Sequence, residues 1–130
     1  MTSRLLAALA VLAGACAPSA PAGAPAQDGV GLPETALAIL ERRCFECHGP
    51  QAKKVKSGLR LSGREALLRG GDHGPSVVPG DPEASLLVQA IRWEDEDLEM
   101  PPKDRLPPEE VAALEAWVAA GAEWPAGNGP

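Results

Sequence analysis

Two cysteines three positions apart, with a histidine directly behind the second, form the segment Cys44-Phe45-Glu46-Cys47-His48. No other stretch of the chain restricts its fold as much. Thiols at this spacing reach the two vinyl groups on one edge of a porphyrin and can form thioethers. The next histidine then falls under the ring, within reach of the iron, which is why C-x-x-C-H is the attachment signature of c-type haem. Three other readings stay open at this point. A disulfide between Cys44 and Cys47 would close a small strained loop and leave His48 idle. A thioredoxin-like redox pair wants a βαβ setting, which the sequence lacks. A zinc-binding interaction module could use Cys44, Cys47, His48 and His73, but zinc modules usually show two tidy ligand pairs.

Composition explains why a large non-protein group suits this chain. Of 130 residues 45% are hydrophobic, yet the aromatics are only Phe45, Trp93, Trp117 and Trp124. The length fits one domain, and its core must come from Leu, Val, Ile and Ala, or partly from something that is not protein. A covalent haem would supply that apolar body. With 12 basic and 18 acidic residues the net charge is −6, which argues against coating a nucleic acid. Three cysteines cannot all pair within one chain, so at least one has another job.

Residues 1–15 read as an export signal. Arg4 supplies a positive start, and Leu5 to Ala17 is an uncharged, largely apolar run of 13 residues. A membrane span needs roughly 18–20. Leu12-Ala13-Gly14-Ala15-Cys16 has the form of a bacterial lipobox, with Cys16 as the lipidated first mature residue, although the leucine stands one place further from the cysteine than usual. Ordinary cleavage leaving a free Cys16 thiol is the other reading. Removing residues 1–15 takes away one arginine, so the charge becomes 11 − 18 = −7. Residues 16–32 are a Pro/Ala/Gly-rich linker that cannot bury enough apolar surface to order itself. A tether between a lipid anchor and a folded domain at 33–125 is its natural use, with 126–130 as a tail. The expected location is the periplasm or cell envelope, at a membrane.

The domain reads as all-α, with about four short helices, long loops and no convincing strand. Pro33 suits a first helical turn, Leu37 and Leu40 share a face, and Arg42-Arg43 suit the C-terminal end. Ser62-Gly63-Arg64-Glu65 has the form of a capping box before Leu67 and Leu68, ending at Gly70-Gly71. Asp81-Pro82 reads as the start of a third helix with Leu86, Leu87, Ala90 and Ile91 buried. Pro107-Pro108 opens the last, where Val111, Leu114, Trp117 and Val118 follow helical spacing up to Gly121.

A haem held by His48 needs a second axial ligand, and only His73 and Met100 are candidates, since the other methionine is Met1. Pro101 biases Met100 to an extended conformation and Pro102 stiffens the segment, so a rigid loop can hold a thioether over the open face. His73, within Gly70-Gly71-Asp72-His73-Gly74, reads as a solvated loop histidine. Arg60 and Arg64 are candidates for the haem propionates through their planar forks. The acidic run Glu94 to Glu99 lacks the spacing of a calcium loop. It reads as a solvated negative face, suited to a basic redox partner.

From Cys44 onward the chain resembles the planctomycete-type cytochrome c domain, a relative of class I cytochromes c. The resemblance rests on the pentapeptide, on Gly58-Leu59-Arg60-Leu61, Gly70-Gly71-Asp72 and Pro79-Gly80, and on the run Ala90 to Pro102. It closes with Glu115-Ala116-Trp117-Val118 and Gly121-Ala122-Glu123-Trp124-Pro125. It implies thioethers at Cys44 and Cys47, proximal His48, distal Met100 and one covalent haem c. It also implies a class I fold whose first and last helices cross beside the haem. His73 departs from the small polar residue expected there, and such domains often open a much larger chain. The expected function is single-electron transfer between a donor and an acceptor protein, not catalysis. A haem peroxidase is the enzymatic alternative, and it would need the position of Met100 open.

Overall fold

The structure is a computed structural model that describes Gly14 and residues 31–127. The expectations for Cys16, for the rest of the leader and for most of the linker lie outside these residues. Among the described residues five α-helices follow one another: α1 (Leu32–Arg43), α2 (Phe45–His48), α3 (Arg64–Arg69), α4 (Leu86–Arg92) and α5 (Pro108–Ala119). A 3₁₀ turn at Lys56–Gly58 lies between α2 and α3. Among the described residues there is no strand, only an isolated bridge between Gly71 and Gly74. The all-α expectation holds, and among the described residues no helix is long and apolar enough to cross a membrane.

Helix α1 has Pro33 and Glu34 in its first turn and Arg42 and Arg43 in its last, an arrangement that opposes the helix dipole at both ends. Its buried residues Ala36, Leu37, Ile39 and Leu40 include both leucines expected there. It lies against α5, the first and last helices of the domain, and α5 contributes buried Leu114, Trp117 and Val118. The Arg43 guanidinium donates to Glu110 at 2.8 Å and Arg42 donates to the same carboxylate at 3.2 Å, joining the end of α1 to the start of α5. After α5, Gly121 takes a left-handed conformation, φ 110°, as a C-terminal stop should. The Trp117 indole N–H then donates to the Glu123 carbonyl at 2.7 Å and folds the tail back.

Three local expectations are corrected. Helix α3 begins at Arg64 with Gly63 in the capping position and no side-chain cap, so the Ser62–Glu65 capping box does not form. Asp81 caps only a turn, its carboxylate accepting the Ala84 N–H at 3.1 Å. The fully buried Ser85 hydroxyl donates to the Asp81 carbonyl at 2.8 Å and accepts the Val78 N–H at 2.9 Å, which holds 78–85 as a loop and delays α4 to Leu86. The fifth helix, α2, is a single turn made by the C-x-x-C-H segment itself.

Candidate functional site

Helix α1 stops where the motif begins. Cys44 leaves helical geometry at φ −123°, although its N–H still donates to the Leu40 carbonyl at 2.8 Å. The chain then winds one more turn, with the His48 N–H donating to the Cys44 carbonyl at 2.9 Å. The turn ends at Gly49, which sits so close that an added Cβ would lie 2.5 Å from the Phe45 carbonyl oxygen.

His48 is 9% exposed and is bracketed by residues 59–61. Its Nδ1 lies 3.0 Å from the Leu59 carbonyl oxygen, and the Leu61 N–H donates to the His48 carbonyl at 2.7 Å. A carbonyl only accepts, so Nδ1 carries the proton and Nε2 is the basic nitrogen. This is the arrangement of metal-ligating histidines, whose second nitrogen is fixed by a carbonyl or carboxylate.

His48 lines a cleft of about 140 Å³ that is partly open to solvent. One water needs roughly 10–15 Å³ by that measure, so the cleft suits a group far larger than a water or an ion. Leu61, Leu87 and Ile91 form its wall and belong equally to the hydrophobic core. Cys44 and Met100 line the same cleft. Cys44 is half-buried; burial, and secondarily the nearby Glu110 carboxylate, pushes its thiol up to about 11. Met100 arrives from the loop after α4 and is held by backbone bonds. Its N–H donates to the Ala90 carbonyl at 3.1 Å, and its carbonyl accepts the Trp93 indole N–H at 3.1 Å.

Cys44, His48 and Met100 are thus brought together, and the other candidates lie elsewhere or at the rim. Cys47 is exposed in a shallow hollow beside Lys53, Lys54 and Lys56, away from the cleft wall. His73 is exposed and lines the cleft from its loop, next to Asp72. Arg60 reaches the Gly49 and Pro50 carbonyls at 3.5 and 3.4 Å. Arg64 donates to the Ala122 and Gly121 carbonyls at 3.2 and 3.1 Å. Neither arginine lines the cleft. Among the described residues no three His, Cys, Asp or Glu side chains gather to hold a metal ion, so the zinc reading has no ligand set. Neither the Leu59 carbonyl nor Trp93 is marked in the sequence, since neither a backbone acceptor nor an indole bond to a distant carbonyl leaves a residue pattern.

An apolar cleft that receives an oriented imidazole and a thioether fits a haem. No curated protein and no solved structure matches the chain. Residues 44–104 match the family model described as Planctomycete cytochrome C, a match that takes in Cys44, His48 and Met100 alike and implies haem c. Residues 44–104 are therefore similar to the planctomycete cytochrome C family.

Proposed function

We propose that this domain is a monohaem c-type cytochrome that passes single electrons between redox proteins outside the cytoplasm. Cys44 and Cys47 form the thioethers, His48 is the proximal ligand and Met100 the distal one. The observation that carries the reading is the His48 imidazole, fixed through Nδ1 by the Leu59 carbonyl, on a cleft that Met100 also lines.

When bound, haem supplies a one-electron iron couple. The chain does the rest. The Leu59 carbonyl fixes the ring of His48 and leaves Nε2 as its free lone pair. The Met100 sulfur, a soft ligand, favours the reduced state and lifts the potential above that of a bis-histidine site. Leu61, Leu87 and Ile91 keep water from one wall. Attachment requires the Cys47 thiol to turn from its lysine-lined hollow toward the cleft edge. Glu94, Asp95, Glu96 and Asp97 are exposed just before Met100, which suits a basic-surfaced partner. A lipid anchor at Cys16, with the linker as tether, would confine the carrier to a membrane surface.

The test is protein matured in a haem-attaching host. One haem per chain should stay with the denatured polypeptide in acidified organic solvent, and Cys44→Ser with Cys47→Ser should abolish this. Haem that partitions into the solvent from the wild type overturns covalent attachment. Rapid binding of peroxide by the oxidised wild type would instead indicate an open distal site and an enzyme.

A further inference from the structure

We propose that Trp93 is the positioning residue that holds Met100 in place as a ligand. The inference rests on the distal role of Met100 proposed above.

Trp93 ends α4 in the left-handed region, φ 56° and ψ 41°. A bulky side chain is an outlier there, and the position is ordinarily left to glycine or asparagine. Such strain persists only where the surroundings fix it, and it gathers at working sites. The backbone reversal lets the indole reach forward past the acidic loop, and its N–H donates to the carbonyl of Met100 at 3.1 Å. The main chain of Met100 is thereby held at both ends, because its N–H donates to the Ala90 carbonyl at 3.1 Å. Ala90 also accepts the Trp93 N–H at 3.3 Å, so helix end, tryptophan and methionine share one acceptor.

A second contact fixes the indole. The Arg105 guanidinium lies over the Trp93 ring, 5.7 Å from its centroid, and donates to the Arg92 carbonyl at 2.7 Å. The two ends of the loop that carries Met100 therefore close on each other through one ring. This matters because Met100 is 37% exposed and no core packing of its own side chain sets its position. A soft thioether is a weak iron ligand, so small losses of preorganisation change its occupancy.

Trp93→Phe keeps a ring for Arg105 and removes only the N–H. In the oxidised haem-loaded protein it should weaken the sulfur-to-iron charge-transfer band at the red end of the spectrum, lower the potential, and admit imidazole about fivefold more readily. That factor is roughly one hydrogen bond, about 1 kcal/mol at about 1.4 kcal/mol per tenfold. Trp117→Phe is the control: it removes a comparable indole bond, to Glu123, and neither residue lines the cleft. It should lower thermal stability and leave band and imidazole affinity as in the wild type. Met100→Ala should abolish the band altogether. A Trp93→Phe protein with wild-type band, potential and imidazole affinity overturns the positioning role and leaves the ligand standing. A wild type without the band, or unaffected by Met100→Ala, overturns the ligand assignment and the inference together.

Discussion

The Nδ1 of His48 lies 3.0 Å from the carbonyl oxygen of Leu59, eleven residues further along the chain. With the Leu61 N–H bonded to the carbonyl of His48 at 2.7 Å, this makes residues 59–61 a brace for the motif turn. The bracing is by main chain, so it tolerates side-chain change at 59–61 better than backbone change at 48–49.

Gly49→Ala should damage the domain although Gly49 has an ordinary negative φ of −75°. The new Cβ would lie 2.5 Å from the Phe45 carbonyl oxygen and 2.6 Å from the Phe45 Cβ, so the motif turn must open. Overpacking of this kind costs about 1–3 kcal/mol. For a domain this small each kilocalorie lowers the melting midpoint by roughly 4–8 °C. Thermal unfolding of the haem-loaded variant checks it, and a midpoint equal to the wild type would contradict the close approach.

Arg64→Ala should lower stability by about 1 kcal/mol, because two carbonyls at the end of α5 lose a charged donor. Arg60→Ala should have a smaller effect, since its contacts at 3.4 and 3.5 Å are long. Neither change should move the reduction potential if these side chains stay where they are. A marked drop in potential for either variant would return it to the haem propionates.

Glu110 joins Arg42 and Arg43 at the contact of α1 with α5. Hydrogen bonding to Arg43 holds its carboxyl below the usual carboxylate range, with burial opposing and Arg42 helping. A carboxyl whose folded value is depressed adds stability that is present above its unfolded value, about 4.3, and lost as pH falls through the folded value. Glu110→Gln should therefore melt below the wild type at pH 6–7, and the two should converge in acid below about pH 4. A difference that grows on acidification would show that the pairing is not what separates them.

Cell fractionation addresses the anchor. The full chain should sediment with membranes, and mass spectrometry should find an acylated Cys16 at the mature N-terminus. Cys16→Ser should release the protein to the soluble fraction. An unmodified mature N-terminus in the wild type would remove the lipid from the proposal.

Partner choice can be read from salt. Electron transfer to a basic redox protein should slow as ionic strength rises, because charges more than about 8–10 Å apart are screened at roughly 0.1–0.15 M. Neutralising Glu94, Asp95, Glu96 and Asp97 together should flatten that dependence. Unchanged salt dependence in the neutralised variant would place docking on another face.

The amino-acid sequence by itself determined which residues are candidates for the site. Cys44, Cys47 and His48 share one pentapeptide and Met1 is the only other methionine beside Met100, so composition and local spacing are enough to nominate them as candidates. It determined the helical class too, because the faces of α1 and α5 repeat with helical period and their ends carry Pro33, Pro108 and Gly121. Tertiary structure decided what those residues touch. Asp81 reads as a helix start, yet the buried hydroxyl of Ser85 outcompetes it and α4 waits until Leu86. Arg64 reads as a free fork, yet the carbonyls of Gly121 and Ala122 occupy it. The Leu59 carbonyl and the Trp93 indole carry no sequence mark of their roles. Main-chain acceptors are the same at every residue, and only folding settles which of them faces His48 and which faces Trp93.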